Sequence, residues 1–271
     1  MSKDAMFSPA ARTAAYVGFA AALASLSGCF GSKDSAVLIL LGEQTTVFDG
    51  SVTTWAVQRG NGVVDEMGAT ISMTTIQNAP TTFPGGPGPA GAVAVLKFPE
   101  SVRGKTFIDH FELHWEPHGH PPLGIFDKPH WDFHFYSIPE AQVRLIEPNA
   151  SALPRPAAVP SGWLNAANDD EYLAQVVPQM GFHSLESRVL DPGYVFDHTL
   201  IFGYWKGQNI FVEPMITKAW FEKEEDRQYS QAIPVPPGIP SGTRYPTRLE
   251  VRYASEASVY TITFKDFVTV P

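Results

Sequence analysis

The sequence predicts an all-β or β-rich fold, an antiparallel barrel or sandwich with one or two short helices. Three observations carry this expectation. Short segments rich in β-branched and aromatic residues recur along the chain, separated by turn dipeptides such as Asp49-Gly50 and Asn61-Gly62. The 271 residues include 24 prolines and 22 glycines, enough to punctuate a long series of turns. Helix signals are few, and no repeat with the roughly 20–50-residue period of solenoids is visible.

Taken in order, residues 36–41, 52–57 and 69–74 read as strands. Residues 83–91, Phe-Pro-Gly-Gly-Pro-Gly-Pro-Ala-Gly, suit neither a helix nor a central strand and read as a loop. Strands follow at 92–98, 107–115 and 130–136. Ser137-Ile-Pro-Glu140 has the form of a capping box, which would start a helix running to Pro148. Residues 169–177 could form a second short helix, stopped by Pro178. Residues 196–205 and 208–216 form a hairpin pattern turning at Lys206-Gly207, and 249–253 with 258–264 suggest a closing hairpin. The Pro-rich run 233–246 reads as a surface loop.

The N-terminus has a different character. Lys3 and Arg12 precede an uncharged, Ala-rich apolar run over residues 13–26. At about 14 residues this run is shorter than the roughly 20 needed to span a bilayer, but it suits the core of an export signal. It ends in Leu26-Ser27-Gly28-Cys29, which resembles the lipobox of bacterial lipoprotein precursors. That resemblance implies cleavage after residue 28, a lipid on Cys29, a short linker over 29–34 and a single β-rich domain over 35–271. It also implies an exported, membrane-anchored protein on the periplasmic or outer-membrane face. Phe30, rather than Asp, after the cysteine resembles the default for outer-membrane delivery.

Composition narrows the partners. Cys29 is the only cysteine, so the chain has no internal disulfide and no cysteine-based metal site. A net charge of −9 without basic clusters makes nucleic acid a poor partner. The 44% hydrophobic and 12% aromatic content is ample for a core.

Six of the eight histidines lie between His110 and His134. Strand periodicity puts His110, Glu112 and His114 on one face, with Phe111, Leu113 and Trp115 on the other. In the next strand His130, Asp132, His134 and Tyr136 alternate with Trp131, Phe133 and Phe135. A solvated face is normally built from Thr, Lys, Glu and Ser, none of which occurs in the His130 row. Two adjacent rows of imidazoles and carboxylates are what a metal or proton-transfer site needs.

Residues two apart on a strand are separated by about 6.7 Å and can share one ion, whereas residues four apart are separated by about 13 Å. His118-Gly-His120, in an extended proline-flanked loop, is therefore the first candidate pair. His134 or His130 would add a third nitrogen, with Asp132 orienting an imidazole. His183 and Glu213 stand in apolar surroundings, where each needs a hydrogen-bonding, ionic or metal partner. Such a set suits zinc, iron or manganese, and Met180 and Met215 keep copper open. His198 reads as hairpin surface. Phosphate loops, a G-x-S-x-G elbow and H-E-x-x-H are absent from the sequence.

Four blocks carry a further likeness: Trp115-Glu-Pro-His-Gly-His-Pro-Pro122, Pro129-His-Trp-Asp-Phe-His-Phe-Tyr136, Pro178-Gln-Met-Gly-Phe-His183 and Phe211-Val-Glu-Pro-Met-Ile-Thr217. Together they resemble an uncharacterised bacterial family named after a sigma-E-regulated Thermus protein, over roughly residues 42–222. The resemblance implies an exported β-rich domain that can form a homo-oligomer, without an assigned reaction. Glu116 replaces the family's usual asparagine, and Trp131 stands where it has phenylalanine.

Three functions follow as expectations. The first is a divalent transition-metal site, enzymatic or not, with His118, His120, His130, His134, His183 and Glu213 as ligands. The second is a non-catalytic envelope protein whose histidine face binds a small molecule or another subunit. The third is acid–base catalysis without metal, through Asp132, His134 and Tyr136.

Overall fold

The strands assemble into two six-stranded antiparallel sheets and a two-stranded ribbon. A computed structural model describes residues 36–82, 91–147, 153–164, 176–223 and 227–271. In spatial order, the first sheet holds β1 (Val37–Val47), β2 (Gly50–Arg59), β3 (Val64–Ser72), β13 (Val259–Lys265), β12 (Arg248–Ala254) and β10 (Gln228–Ala232). The second holds β4 (Ala94–Lys97), β5 (His110–Glu116), β6 (His130–Tyr136), β9 (Gln208–Thr217), β8 (His198–Trp205) and β7 (Phe182–Leu185). The ribbon pairs β11 (Arg244–Tyr245) with β14 (Val268–Thr269). Neither six-stranded sheet closes on itself among the described residues, so of the two expected architectures the sandwich fits.

Aromatic side chains fasten one sheet to the other. Phe135 of β6 lies 4.6 Å from Phe264 of β13, ring centre to ring centre, and 4.9 Å from Phe111 of β5. Trp115 and Trp131 pair at 4.7 Å on the same face. Each such ring buries about 150–250 Å², so this odd-numbered row supplies much of the hydrophobic stabilisation. Most β12 and β10 positions are partly or fully exposed, whereas every residue of β5 and β6 is buried. The second sheet is therefore covered on both faces.

The hairpins fold where their turn residues allow. Lys206 (φ 51°) and Gly207 (φ 75°) both adopt the left-handed backbone that a tight two-residue β-turn requires. The β6–β9 register pairs Asp132 with Met215 and Phe135 with Val212, and lapses between them around Glu213-Pro214. Proline has no N–H to give to the ladder there.

Among the described residues, α-helix is confined to pieces of four or five residues: α1 (Met73–Gln77), α2 (Glu140–Val143) and α3 (Lys218–Phe221). α1 begins where a strand was expected to continue, because Ser72 Oγ accepts the Thr75 N–H at 3.2 Å and caps the turn. The expected helix from Ser137 to Pro148 is corrected to the single turn of α2. Ser137 does not cap it; its hydroxyl donates instead to the Ile210 carbonyl at 3.1 Å. The expected helix at 169–177 falls almost entirely outside the described residues, as does most of the 83–91 loop and all of residues 1–35. The 233–246 run is not wholly surface: Tyr245 is fully buried and donates to Asn209 at 3.3 Å.

Candidate metal centre

The strand period and the β5–β6 register together build the polar face. β5 and β6 pair Glu116 with His130, His114 with Asp132, Glu112 with His134, and His110 with Tyr136. Segments 117–128 and 176–183 lie over this face. His120 packs edge-on to Phe126 at 5.9 Å, His130 packs on Phe196 at 5.1 Å, and Tyr136 donates to the Gln179 carbonyl at 3.0 Å.

Among the described residues, two groups of three could each hold a metal ion. In the first, His120, His130 and Asp132 each present one ligand atom within 4.8 Å of the others. His120 Nε2 is 3.6 Å and His130 Nε2 3.1 Å from the Asp132 carboxylate. The far sides of both rings lie against backbone carbonyls: His120 Nδ1 is 2.7 Å from Pro121 O, and His130 Nδ1 2.6 Å from Lys128 O. If each Nδ1 carries the proton that these carbonyls accept, both Nε2 lone pairs are aimed at the group's centre. Although close, His130 Nε2 and Asp132 Oδ1 are not aligned to hydrogen-bond, and neither atom has another partner.

The second group is His134, His183 and Glu213, again within 4.8 Å. Glu213 Oε2 lies 3.5 Å from His134 Nε2 and 3.8 Å from His183 Nε2. Glu213 Oε2 and both nitrogens of His134 are buried without a hydrogen bond. An unsatisfied buried polar group costs about 1–3 kcal/mol, and several at one point call for an occupant. Phe211 backs both imidazoles, at 4.8 Å from His134 and 5.5 Å from His183. Its ring fits because residue 203 is glycine; a Cβ there would sit 1.9 Å from Phe211.

Electrostatics separates the groups in the metal-free protein. Burial opposes charge on His120, but Asp132 outweighs it and raises the imidazole to about 9. Burial likewise opposes charge on Asp132, yet His130 and His120 hold its pKa well below the ordinary carboxylate range. In the second group burial, reinforced by nearby His120, lowers His183 to about 3. Burial also pushes His134 well below its usual value, and His114 adds to the effect. Burial raises Glu213 well above its usual range, and Asp132 and Glu116 push it further. Two neutral imidazoles beside a carboxyl disfavoured as an anion form a site that gains from a cation.

Both groups open onto one pocket of about 210 Å³, lined by His120 and Asp132 from the first and His183 and Glu213 from the second. Glu116, Pro121, Val176, Val177, Pro178 and Met180 complete its wall.

The structure thus brings together five of the six expected ligands and corrects the sixth. His118 is exposed and belongs to neither group. The loop was read as extended, but it turns at Gly119 (φ 72°), whose N–H meets the Glu116 carbonyl at 3.3 Å. That turn separates His118 from His120. Asp132, expected to orient an imidazole, stands in the first group beside His120 and His130, with its own oxygen among the atoms that could hold an ion. Tyr136 does not line the pocket; its hydroxyl is held by Gln179, and burial raises it well above its usual pKa, so the Asp132–His134–Tyr136 relay is not assembled. His198 is half-buried rather than open surface, stacked on Tyr229 at 4.0 Å. The sequence reading missed Glu116 as pocket wall, although it continues the even-numbered row of β5. It also missed Arg144, which reaches Glu112 at 2.8 Å from α2. No protein-family model, curated protein or solved structure matches the chain.

Proposed function

We propose that this chain is an exported, lipid-anchored domain that binds a divalent transition metal in the pocket between β6, β9 and the covering segments. The observation that carries the reading is the set of buried, unpartnered ligand atoms on His130, Asp132, His134 and Glu213. Two nitrogens and one carboxylate per group suit zinc, iron or manganese. Met180 reaches the pocket wall and keeps copper among the candidates. A structural zinc site is normally closed by four protein ligands, whereas three leave a position for water or substrate. The pocket beside these groups therefore favours a reactive or ligand-binding ion over a purely structural one.

The lipid anchor rests on the charged start, apolar run and Leu26-Ser27-Gly28-Cys29 sequence. It places the metal outside the cytoplasm, and the resemblance to the sigma-E-linked family fits the same location. Elemental analysis of full-length protein purified without a histidine tag tests the metal reading. The expected result is about one equivalent or more of transition metal per chain. Less than about a tenth of an equivalent after reloading overturns it, because a buried three-ligand site retains its ion through desalting. Cys29→Ser should abolish partitioning into the membrane fraction, and wild-type protein found soluble with its signal uncleaved would refute the anchor.

A further inference from the structure

We infer that the two ligand groups form a single two-ion centre, and that the shared pocket takes a small oxyanion bridging the ions. The inference rests on the metal reading above and extends it from one ion to two and from metal to ligand.

Strand geometry puts the groups side by side. Asp132 of the first and His134 of the second are alternate residues of β6, about 6.7 Å apart along the strand on the same face. Each group contributes two residues to the wall of the one pocket, so an occupant touches both. Paired ions a few ångströms apart, with a ligand lodged between them, suit hydrolytic and phosphoryl chemistry.

Charge and shape specify the occupant. Two divalent ions bring four positive charges against the carboxylates of Asp132, Glu213 and Glu116 that line the pocket. The fourth nearby carboxylate, Glu112, is engaged by Arg144 at 2.8 Å and does not line the pocket. At least one positive charge is left, which calls for an anion. Val176, Val177, Pro178 and Met180 form an apolar wall. The 210 Å³ space far exceeds the roughly 30 Å³ that one water occupies in the liquid. A carboxylate or phosphate head on the ions, with a short apolar remainder against that wall, satisfies both surfaces.

The test uses the full chain loaded with Mn(II) alone, then with inorganic phosphate or acetate added. Elemental analysis should give two ions per chain, and electron paramagnetic resonance an exchange-coupled spectrum. Phosphate or acetate should alter that spectrum and tighten Mn(II) binding about tenfold or more. Asp132→Asn should leave one ion with an isolated six-line signal, and His183→Gln should do the same from the other side. If Asp132→Asn does not fold, His120→Gln opens the same group at a partly exposed residue. One ion in the wild type, two ions without exchange coupling, or indifference to both anions overturns the inference and leaves the metal reading standing. Failure to bind Mn(II) or any other transition metal overturns both.

Discussion

Glu186 and Glu213 are both buried carboxylates in a β-rich core, and their surroundings are opposite. Glu186 is saturated with donors. Its Oε2 accepts from Arg188 at 2.8 Å, Thr199 at 2.7 Å and the Leu200 N–H at 3.2 Å, and its Oε1 from Gln231 at 2.7 Å. Glu213 Oε2 faces two imidazoles whose burial keeps them neutral, and it has no hydrogen bond. A carboxylate kept for stability is paid for on the spot by N–H and O–H groups. One surrounded by lone pairs is unfavourable until a cation arrives. The same residue type therefore reads as structural at one place and as a ligand at the other.

The contrast can be broken by substitution. Glu186→Ala should have the largest effect, a loss of about 3–5 kcal/mol in urea unfolding with or without metal, since it leaves several buried donors unpaired. A metal-dependent loss there would remove the distinction. Glu213→Gln should behave the other way round. Without metal it should leave the melting temperature unchanged or raise it, because an amide carries no charge to desolvate and can still donate to His134 or His183. Metal affinity, measured by competition with a chelator, should fall further than the roughly 10–100-fold typical of outer-shell changes. Equal destabilisation by Glu186→Gln and Glu213→Gln in chelator would show that Glu213 is merely another structural acid.

Gly119→Ala should come next, costing about 1–2 kcal/mol from the strained backbone. Its Cβ would lie 1.9 Å from the Phe126 carbonyl, so the loop carrying His120 must move. The ion of the first group should be weakened and that of the second retained; equal loss of both would sharpen the case for one coupled centre. The smallest effect should come from His110. Burial opposes its charge, but hydrogen bonds to Asp109 and Glu112 prevail and raise its pKa. A raised folded pKa means stabilisation that is complete below about pH 6.5 and lost as pH rises through the folded value. The stability gap between wild type and His110→Gln should accordingly be larger at pH 5.5 than at pH 8.5. A gap independent of pH would leave only the ring's stacking on Tyr136 as its role.

Much of this arrangement was legible in the sequence because it follows from local periodicity. The bounds of β6 coincide with the expected 130–136, and the alternation of histidine with aromatic predicts which face each residue takes. Glu213 stood out because a carboxylate between Val212 and Pro214 has no local partner. What was not legible depends on long-range contacts or on single dihedral angles. His118 and His120 are alternate residues, but one left-handed glycine sends them apart. Arg144 meets Glu112 from 32 residues away, and no spacing rule anticipates that contact. β7 and β10 are four and five residues long, and their pairing partners define them more than their composition does.

The shared use of β6 has a consequence for how this protein can change over time. Trp131, Phe133 and Phe135 anchor the hydrophobic interior, while His130, Asp132 and His134 form the polar row of the opposite face. Deleting a single residue here would reverse both rows, driving indole and phenyl rings into the pocket and imidazoles into the interior. Insertions and deletions are thereby barred from this strand, whatever happens to the ion. Lineages that have lost the chemistry should lose it by point substitution of the ligands, and their β6 should keep its length and its aromatic row.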